Sequence, residues 1–233
     1  MTRADYIHKL LQSYCLIATL SEKNGGTVLH LRNNTTEKDL VLRSYPAYFE
    51  AYDRLCGIRC ENLPEIYDVF RAQDGQIILE EFVDGITVAQ VMETGRYRYR
   101  GAKNVLSGVC NALSALHRQK IIHRDVKPEN VMISSRGKVI LIDLNASRID
   151  TGVHRDTVIM GTVGYASPEQ LGIAQSDART DIYAAGILLN VMLTGKHPAE
   201  SLVRGRAARI VRKCTSLNPD DRYQSADQLF DAL

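Results

Sequence analysis

The sequence has few of the features that mark secreted, membrane-spanning or nucleic-acid-binding proteins. Its five cysteines are an odd number and form no C-x-x-C pair, which favours free thiols in a reducing compartment over a disulfide framework. The longest apolar run, residues 182–193, is interrupted by Gly186 and Asn190 and is too short to cross a bilayer. Because charged residues precede any apolar stretch at the amino end, we expect a cytoplasmic protein with neither signal peptide nor lipid anchor.

An excess of charge of one sign is also missing. The chain has 29 lysines and arginines against 27 aspartates and glutamates, a formal net charge of +2. This balance creates no global basic field, so it argues against nucleic acid or an anionic membrane surface as a partner. The 233 residues are sufficient to bury a sizeable core in one large domain or two small lobes. Any ligand must therefore be inferred from a local site.

The first third of the chain has the pattern of an antiparallel β meander. Residues 14–20, 27–31 and 40–43 are rich in apolar and β-branched side chains. A polar turn with two glycines, at 24–26, separates the first two of these segments. The pattern predicts a small β lobe that extends to about residue 80.

Helical periodicity replaces the β pattern from Thr87 onward. Apolar residues at spacings of three and four predict a helix over 102–119, and a second, buried helix is expected over 181–194. The extended piece 81–85 joins the two parts and ends in a glycine. A β lobe, a short tether and a helical lobe over 86–233 predict an α+β protein with a cleft, where ligands tend to bind.

The strongest chemical signal directly follows the first predicted helix, where residues 123–130 read H-R-D-V-K-P-E-N. This segment resembles the H-R-D-x-x-x-x-N catalytic loop of protein kinases. Phosphoryl transfer needs a carboxylate beside the attacking hydroxyl, a cation near the transferred group and an oxygen ligand for metal. The resemblance assigns these roles to Asp125, Lys127 and Asn130. The triplet H-R-D alone would be an ordinary polar turn, whereas the whole matched segment is specific.

A metal site is implied a short distance further along the chain. After Asn130, a β run ends in Asp143, Leu144 and Asn145, where a protein kinase carries D-F-G. The resemblance implies that Asp143 and Asn130 bind the Mg²⁺ or Mn²⁺ that bridges the phosphates of ATP. Asn145 replaces the glycine, and asparagine tolerates left-handed backbone angles, so we expect the turn to be retained. Without its distance from the catalytic loop, D-L-N would be a plain turn.

Later motifs follow in the order that protein kinases have. Residues 161–169, G-T-V-G-Y-A-S-P-E, are similar to a substrate-docking loop, and the resemblance implies a buried ion pair of Glu169 with Arg222. Asp181 is similar to the aspartate that anchors the backbone of the catalytic loop. The resemblance covers 14–233 and is closest to bacterial serine/threonine kinases. It implies one domain of the bilobal kinase fold, ATP as cofactor and a protein substrate with a serine or threonine acceptor.

The phosphate-binding segment departs from the kinase pattern. The Gly-rich loop aligns with 21–28, S-E-K-N-G-G-T-V, and only Gly26 and Val28 match it. Glycine is used there because backbone N–H groups must approach phosphate closely, and side chains on Ser21 and Lys23 limit that approach. Lys23 could instead offer a positive charge, and an ordinary hairpin without ligand is the alternative for this segment.

The next strand carries further changes. Arg43 stands where the family has its phosphate-binding lysine, and its wider planar fork is not a conservative replacement. Glu50 is the candidate partner of Arg43 from the following helix, the alternative being a solvated helix residue. Val41 replaces the alanine that lines the adenine slot, so we expect weakened nucleotide binding. The resemblance then places seven residues at the nucleotide: Val28, Val41, Arg43, Glu50, Glu81, Val83 and Met132.

Three classes of function follow from these observations. An ATP-dependent serine/threonine protein kinase accounts for the catalytic and metal-binding residues together. A pseudokinase, acting as a binding or scaffolding module, accounts for the altered phosphate side. A kinase-like enzyme for a small molecule would share the catalytic aspartate but generally lacks a docking segment like 161–169. We also consider a regulatory switch, in which a phosphate on Thr157 would pair with Arg124 and order the loop that contains Thr157. The alternative is that Thr157 is an unmodified surface residue.

Overall fold

The computed structural model describes residues 1–23, 25–151, 164–171 and 176–233. The chain divides into two compact units. A sheet unit comprises Met1–Cys60 and Pro64–Val83, and a helical unit comprises Glu61–Leu63 and Asp84–Leu233. The division between Val83 and Asp84 falls within the predicted tether at 81–85.

The described residues of the sheet unit form five strands and two short helices. Its elements are, in chain order, α1 (Arg3–Leu10), β1 (Tyr14–Lys23), β2 (Gly26–Asn33), β3 (Asp39–Tyr45), α2 (Glu50–Leu55), β4 (Ile66–Ala72) and β5 (Gly75–Glu81). The strands have the order β1-β2-β3-β5-β4, and all neighbours are antiparallel. The antiparallel pairing of the first three strands confirms the predicted meander.

One face of this sheet buries an apolar cluster. Leu31, Leu42 and Ile77 are each 0 % exposed in that cluster, and Tyr6 and Ile7 of α1 pack against it. Because side chains alternate along a strand, the neighbouring residues of each strand lie on the opposite face. That opposite face carries three of the residues predicted at the nucleotide, Val28, Val41 and Arg43.

Helix α1 has no counterpart among the predicted elements, because it is only 8 residues long and largely polar. It begins with a capping box, in which the Thr2 side chain accepts the N–H of Asp5 and the Asp5 carboxylate accepts the N–H of Thr2. A T-x-x-D pattern of this kind is the one signal in the sequence that indicates a helix start here.

The remaining elements of the described residues lie in the helical unit. They are β6 (Gly85–Thr87), α3 (Val88–Glu93), α4 (Tyr99–Arg118), β7 (Ile121–Ile122), β8 (Val131–Ser134), β9 (Val139–Leu141), β10 (Arg148–Ile149), α5 (Ala178–Thr194), α6 (Arg206–Cys214) and α7 (Ala226–Ala232), with 3₁₀ turns at Pro128–Asn130, Pro168–Leu171 and Pro219–Asp221. Helices α4 and α5 confirm the two helices predicted over 102–119 and 181–194. An antiparallel sheet unit and a helical unit together confirm the predicted α+β class.

Helices α5 and α6 pack closely against each other in the helical unit. Most of α5 is buried, and a Cβ atom on Gly186 would lie 2.3 Å from the Cβ of Cys214 on α6. Glycine at this position therefore allows the two helices to approach closely. None of the helices in the described part of the chain is long and apolar enough to span a membrane.

Candidate active site

The segment 123–130 follows β7 and is anchored by the first turn of α5. Asp181 is 0 % exposed, and its Oδ1 accepts the backbone N–H of Arg124 at 2.8 Å while Oδ2 accepts that of His123 at 2.9 Å. Oδ2 also lies 2.8 Å from Nε2 of His117. These bonds confirm the predicted anchoring contact and fix the backbone of the loop.

Burial and hydrogen bonding change the pKa of Asp181 in opposite directions. Burial raises the pKa of this carboxyl group, whereas the hydrogen bond with His117, the nearby histidine charges and the N–H of Arg124 lower it, and the net pKa lies below its ordinary value. The group is therefore ionised at neutral pH. A charged acceptor forms stronger hydrogen bonds to the loop than a neutral one would.

The structure brings Asp125, Lys127 and Asn130 together. Lys127 Nζ lies 2.7 Å from Asp125 Oδ2, and Asn130 Nδ2 donates to both the backbone oxygen and Oδ2 of Asp125 at 2.8 Å. The side chains of Lys127 and Asp125 are 19 % and 14 % exposed. Asp125 therefore has a fixed orientation and still reaches the surface. A carboxylate held in this way can take a proton from a hydroxyl group that docks beside it.

Asp143 follows β9, and its chain segment is bound to the catalytic loop. The N–H of Ile142 donates to the backbone oxygen of Asn130 at 2.9 Å. Asp143 has a φ of 68°, in the left-handed region, and its Oδ1 accepts the N–H of Asn145 at 3.2 Å. The left-handed angle of this turn is therefore taken by Asp143 and not by Asn145. The local bond from Asp143 to the backbone two residues later explains why aspartate is tolerated there.

The oxygen ligands near this turn suit a hard cation that is also bound by phosphate. Asp143 offers a carboxylate, and the bonds of Asn130 to Asp125 use its Nδ2 and not its Oδ1. Within the described ranges, no group of three or more His, Cys, Asp or Glu side chains could hold a metal on its own. Because Mg²⁺ usually takes one or two protein oxygens together with phosphates and waters, these two residues fit it.

Glu169 and Arg222 form the predicted ion pair, which the structure confirms. Arg222 Nη1 and Nη2 lie 2.6 and 2.9 Å from the two carboxylate oxygens of Glu169. Glu169 and Arg222 are 3 % and 2 % exposed. Burial raises the pKa of Glu169, but hydrogen bonds and charge from Arg222 outweigh burial and hold that pKa below its ordinary value. The pair is thus ionised and bidentate inside the helical unit.

Three of the predicted nucleotide residues share one face of the sheet unit. Val28 on β2 lies directly opposite Arg43 on β3, and Val41 lies opposite Glu80 on β5. Residues opposite each other on neighbouring strands point to the same side of a sheet. Val28, Val41 and Arg43 therefore lie together on the face away from the apolar cluster.

The other predicted nucleotide residues lie at element ends or in the helical unit. Glu81 is the last residue of β5 and is exposed, and Val83 follows it at the end of the sheet unit. Met132 lies on β8 of the helical unit, opposite Thr87.

Arg43 has a different acidic partner from the one predicted. Its Nε lies 2.6 Å from Oε1 of Glu80, and the two residues are 7 % and 4 % exposed. Glu50 instead binds Arg54 one helical turn away, at 2.8 Å, and its side chain is 57 % exposed. The prediction that Glu50 pairs with Arg43 is therefore wrong, and the alternative of a solvated helix residue describes Glu50.

Comparison with known proteins identifies the family. The pattern of the protein kinase domain matches residues 47–231. This chain belongs to the protein kinase family. It is 33 % identical over 196 residues to serine/threonine-protein kinase PknB of Mycolicibacterium smegmatis, with 70 % of this chain and 31 % of that protein covered. It is 31 % identical over 236 residues to serine/threonine-protein kinase B of Synechocystis, with 88 % of this chain and 41 % of that protein covered.

The protein kinase pattern does not cover the whole chain. It begins at residue 47, after β3, so the first three strands with Val28, Val41 and Arg43 lie outside it. The chain also spans less than half the length of these relatives. The resemblance to bacterial serine/threonine kinases is confirmed by these relatives.

Gln170 is a residue of this kinase domain that sequence reasoning missed. Its Nε2 donates to the backbone oxygen of Arg124 at 2.9 Å, and its Oε1 accepts the N–H of Ser167 at 3.0 Å. Gln170 is 1 % exposed and connects the Ser-Pro-Glu segment to the catalytic loop. No local pattern indicates this contact, because the two partners are 46 positions apart.

Several expectations fall on residues outside the described ranges. Thr157, the hypothetical phosphorylation site, lies there, as do Asn24 of the altered Gly-rich loop and residues 161–163 at the start of the docking segment. The last part of that segment, from Gly164, is described.

Proposed function

We propose that this chain is an ATP-dependent kinase that transfers the γ-phosphoryl group to a serine or threonine hydroxyl of a protein. The observation that carries the proposal is the carboxylate of Asp125, held by Lys127 at 2.7 Å and by Asn130 at 2.8 Å. The loop that presents these residues is anchored by the buried Asp181. This arrangement combines a proton acceptor and a cation on one rigid segment.

In the proposed reaction, the acceptor hydroxyl donates its hydrogen bond to Asp125. Its proton passes to that carboxylate as the new O–P bond forms and the bond between the γ-phosphorus and the ADP oxygen breaks. Lys127 places positive charge beside the transferred group. The products are ADP and the phosphorylated side chain, and Asp125 returns its proton to water.

Asp143 and Asn130 are the residues that we propose as ligands of Mg²⁺ or Mn²⁺. The metal, when bound, would neutralise charge on the phosphates. ATP should raise the melting temperature only when one of these cations is present, because a ligand stabilises the folded state to which it binds. Equal shifts in EDTA would contradict this assignment.

The partner that we propose is a cytoplasmic protein with a serine or threonine acceptor. The names of the relatives, which are serine/threonine-protein kinases, support this acceptor class. The net charge of +2 supports neither nucleic acid nor an anionic membrane as a ligand.

Mass spectrometry after incubation with ATP and Mg²⁺ tests the proposed reaction. The expected result is phosphate on serine or threonine of the chain or of an added protein substrate. Asp125→Asn should abolish this signal, whereas the matched change Asp231→Asn, at an exposed position of α7, should leave it unchanged. Transfer that survives Asp125→Asn, or an unmodified wild-type sample, would contradict the proposal.

One observation favours a pseudokinase as the second candidate. The guanidinium of Arg43 is engaged by Glu80 inside the sheet unit, which could withdraw its charge from the phosphates. Metal-dependent ATP binding without any phosphoryl transfer would support this second function. Its binding partner would then be sought with the nucleotide-loaded protein.

A further inference from the structure

The carboxylate that binds Arg43 belongs to the sheet and not to helix α2. Arg43 Nε lies 2.6 Å from Glu80 Oε1, and Arg43 Nη1 donates to the hydroxyl of Tyr45 at 3.2 Å. All three residues are less than 9 % exposed. Arg43 and Glu80 lie on neighbouring antiparallel strands, on the same face.

The acidic residues of helix α2 bind elsewhere. Glu50 binds Arg54 within the helix. Asp53 accepts hydrogen bonds from Gln76 on β5 at 3.0 Å and from Arg71 on β4 at 3.0 Å. The helix is thus attached to the β4–β5 hairpin through Asp53.

We propose that Glu80 is the positioning residue for Arg43, so that the carboxylate that orients this guanidinium comes from the sheet and not from α2. The inference rests on the proposed function together with the family resemblance, which places Arg43 at the nucleotide. In protein kinases the cation of β3 must pair with a glutamate of the following helix, and the position of that helix controls activity. Here the pair joins β3 to β5, which are also linked by the backbone ladder, so a displacement of α2 would not separate it.

Arginine suits this arrangement better than lysine would. Its guanidinium is planar and carries its N–H groups in a rigid fork, so two anchored nitrogens fix the plane of the whole group. The Nε bond to Glu80 and the Nη1 bond to Tyr45 are such anchors. A lysine ammonium is a single point on a flexible stem and cannot be oriented in this way.

Nuclear magnetic resonance of the nucleotide-free chain tests the pairing without reference to activity. The Nε–H signal of Arg43 is identified by its loss in Arg43→Lys. We expect Glu80→Gln to shift this signal and to speed its hydrogen exchange by about tenfold or more, because a charged partner is replaced by a neutral one. Glu50→Gln, the same chemical change on α2, should leave the signal in place. A signal that responds to Glu50→Gln and not to Glu80→Gln would overturn the inference.

A double-mutant cycle tests whether Glu80 acts through Arg43. Glu80→Gln should lower kcat/KM about ten- to a hundredfold, the effect of a misplaced charge-assisted bond, and Glu50→Gln should change it less than about twofold. In an Arg43→Ala background, Glu80→Gln should cause no further loss, because residues in one network are not additive. A merely structural role of Glu80 would give a further loss in that background and would overturn the inference.

The two experiments also distinguish a failure of this inference from a failure of the proposed function. If the wild-type chain transfers no phosphate, the proposed function fails, while the signal of Arg43 in the nucleotide-free chain still decides which carboxylate holds it. If Glu80→Gln does not fold, Glu80→Asp keeps the charge and shortens the side chain. The expected result is then the same shifted signal, and an unshifted signal would count against Glu80.

Discussion

The two units of this kinase domain differ in how closely they keep the contacts that the family resemblance implies. In the helical unit, Asp181 anchors the catalytic loop and Glu169 pairs with Arg222, both as expected from the motifs. In the sheet unit, Arg43 pairs with Glu80, and the expected pair with Glu50 is not formed. The family pattern itself begins only after β3.

This difference indicates that the catalytic groups allow fewer alternative arrangements of residues than the cation that binds phosphate. Proton acceptance and charge stabilisation need several groups within hydrogen-bond distance of one reacting centre, so few arrangements serve. A lysine or arginine that binds phosphate needs a carboxylate that orients it, and that carboxylate can come from a helix or from a neighbouring strand. Substitution on the sheet is therefore compatible with an unchanged catalytic loop.

The largest effect is expected from the metal ligand of the helical unit. Asp143→Asn removes the one carboxylate that we assign to the cation, so transfer should fall by about a thousandfold or more. Steady-state rates at saturating Mg²⁺ measure this loss. The matched change Asp231→Asn, on the exposed side of α7, should have no effect. Equal rates for both variants would remove Asp143 from the site.

A second large effect is expected on stability. Arg222→Leu leaves the buried carboxylate of Glu169 without its charged partner, and breaking a buried ion pair in this way costs about 3–5 kcal/mol of unfolding free energy. Urea unfolding measures the change. The control is Arg209→Leu, on the exposed side of α6, which should lie within about 0.5 kcal/mol of wild type. A similar small change for Arg222→Leu would show that the pair is not structural.

A smaller effect is expected on the sheet, where we assign Val41 to the adenine slot. Val41→Ala removes two methyl groups that crowd the base, so the Kd of ATP with Mg²⁺ should fall by about fivefold or more, from a crowding cost of about 1–3 kcal/mol. Isothermal calorimetry gives this constant. Weaker binding by Val41→Ala would indicate that valine packs against the base without crowding it.

The smallest effect is expected on the stability of the protein at acidic pH. The folded-state pKa of Glu169 is depressed, so its ionised form adds stability above the ordinary glutamate pKa of about 4.3, and this contribution is lost as the pH falls through the lower, folded-state pKa. The unfolding free energy of wild type should therefore drop more steeply below about pH 4 than that of Glu169→Gln. Parallel curves for the two proteins would contradict the depressed pKa.

Local patterns predicted the elements and the catalytic loop well, for physical reasons. The apolar periodicity of α4 and the spacing of Asp125, Lys127 and Asn130 are properties of short stretches of chain, and they appear directly in the structure. The partner of Arg43 could not be predicted in the same way. Glu80 is 37 positions away, and only the register of β3 on β5 places it beside the cation.

The missed helix α1 has a related explanation. Its polar residues give weak periodicity, and it is stabilised by a contact of Tyr6 and Ile7 with a sheet whose strands come later in the chain. A short helix of this kind depends on tertiary packing more than on helix propensity. The T-x-x-D capping box at its start was the only local sign.

One assay compares the two units in the same experiment: transfer of labelled γ-phosphate from ATP with Mg²⁺ to a protein substrate by wild type, Asp125→Asn and Arg43→Lys. The account predicts that Asp125→Asn falls to background, because the proton acceptor is lost. Arg43→Lys should retain activity above background but about ten- to a hundredfold below wild type, since lysine cannot replace the fork that Glu80 and Tyr45 hold. Activity in Asp125→Asn equal to that of wild type, or higher activity in Arg43→Lys than in wild type, would contradict it.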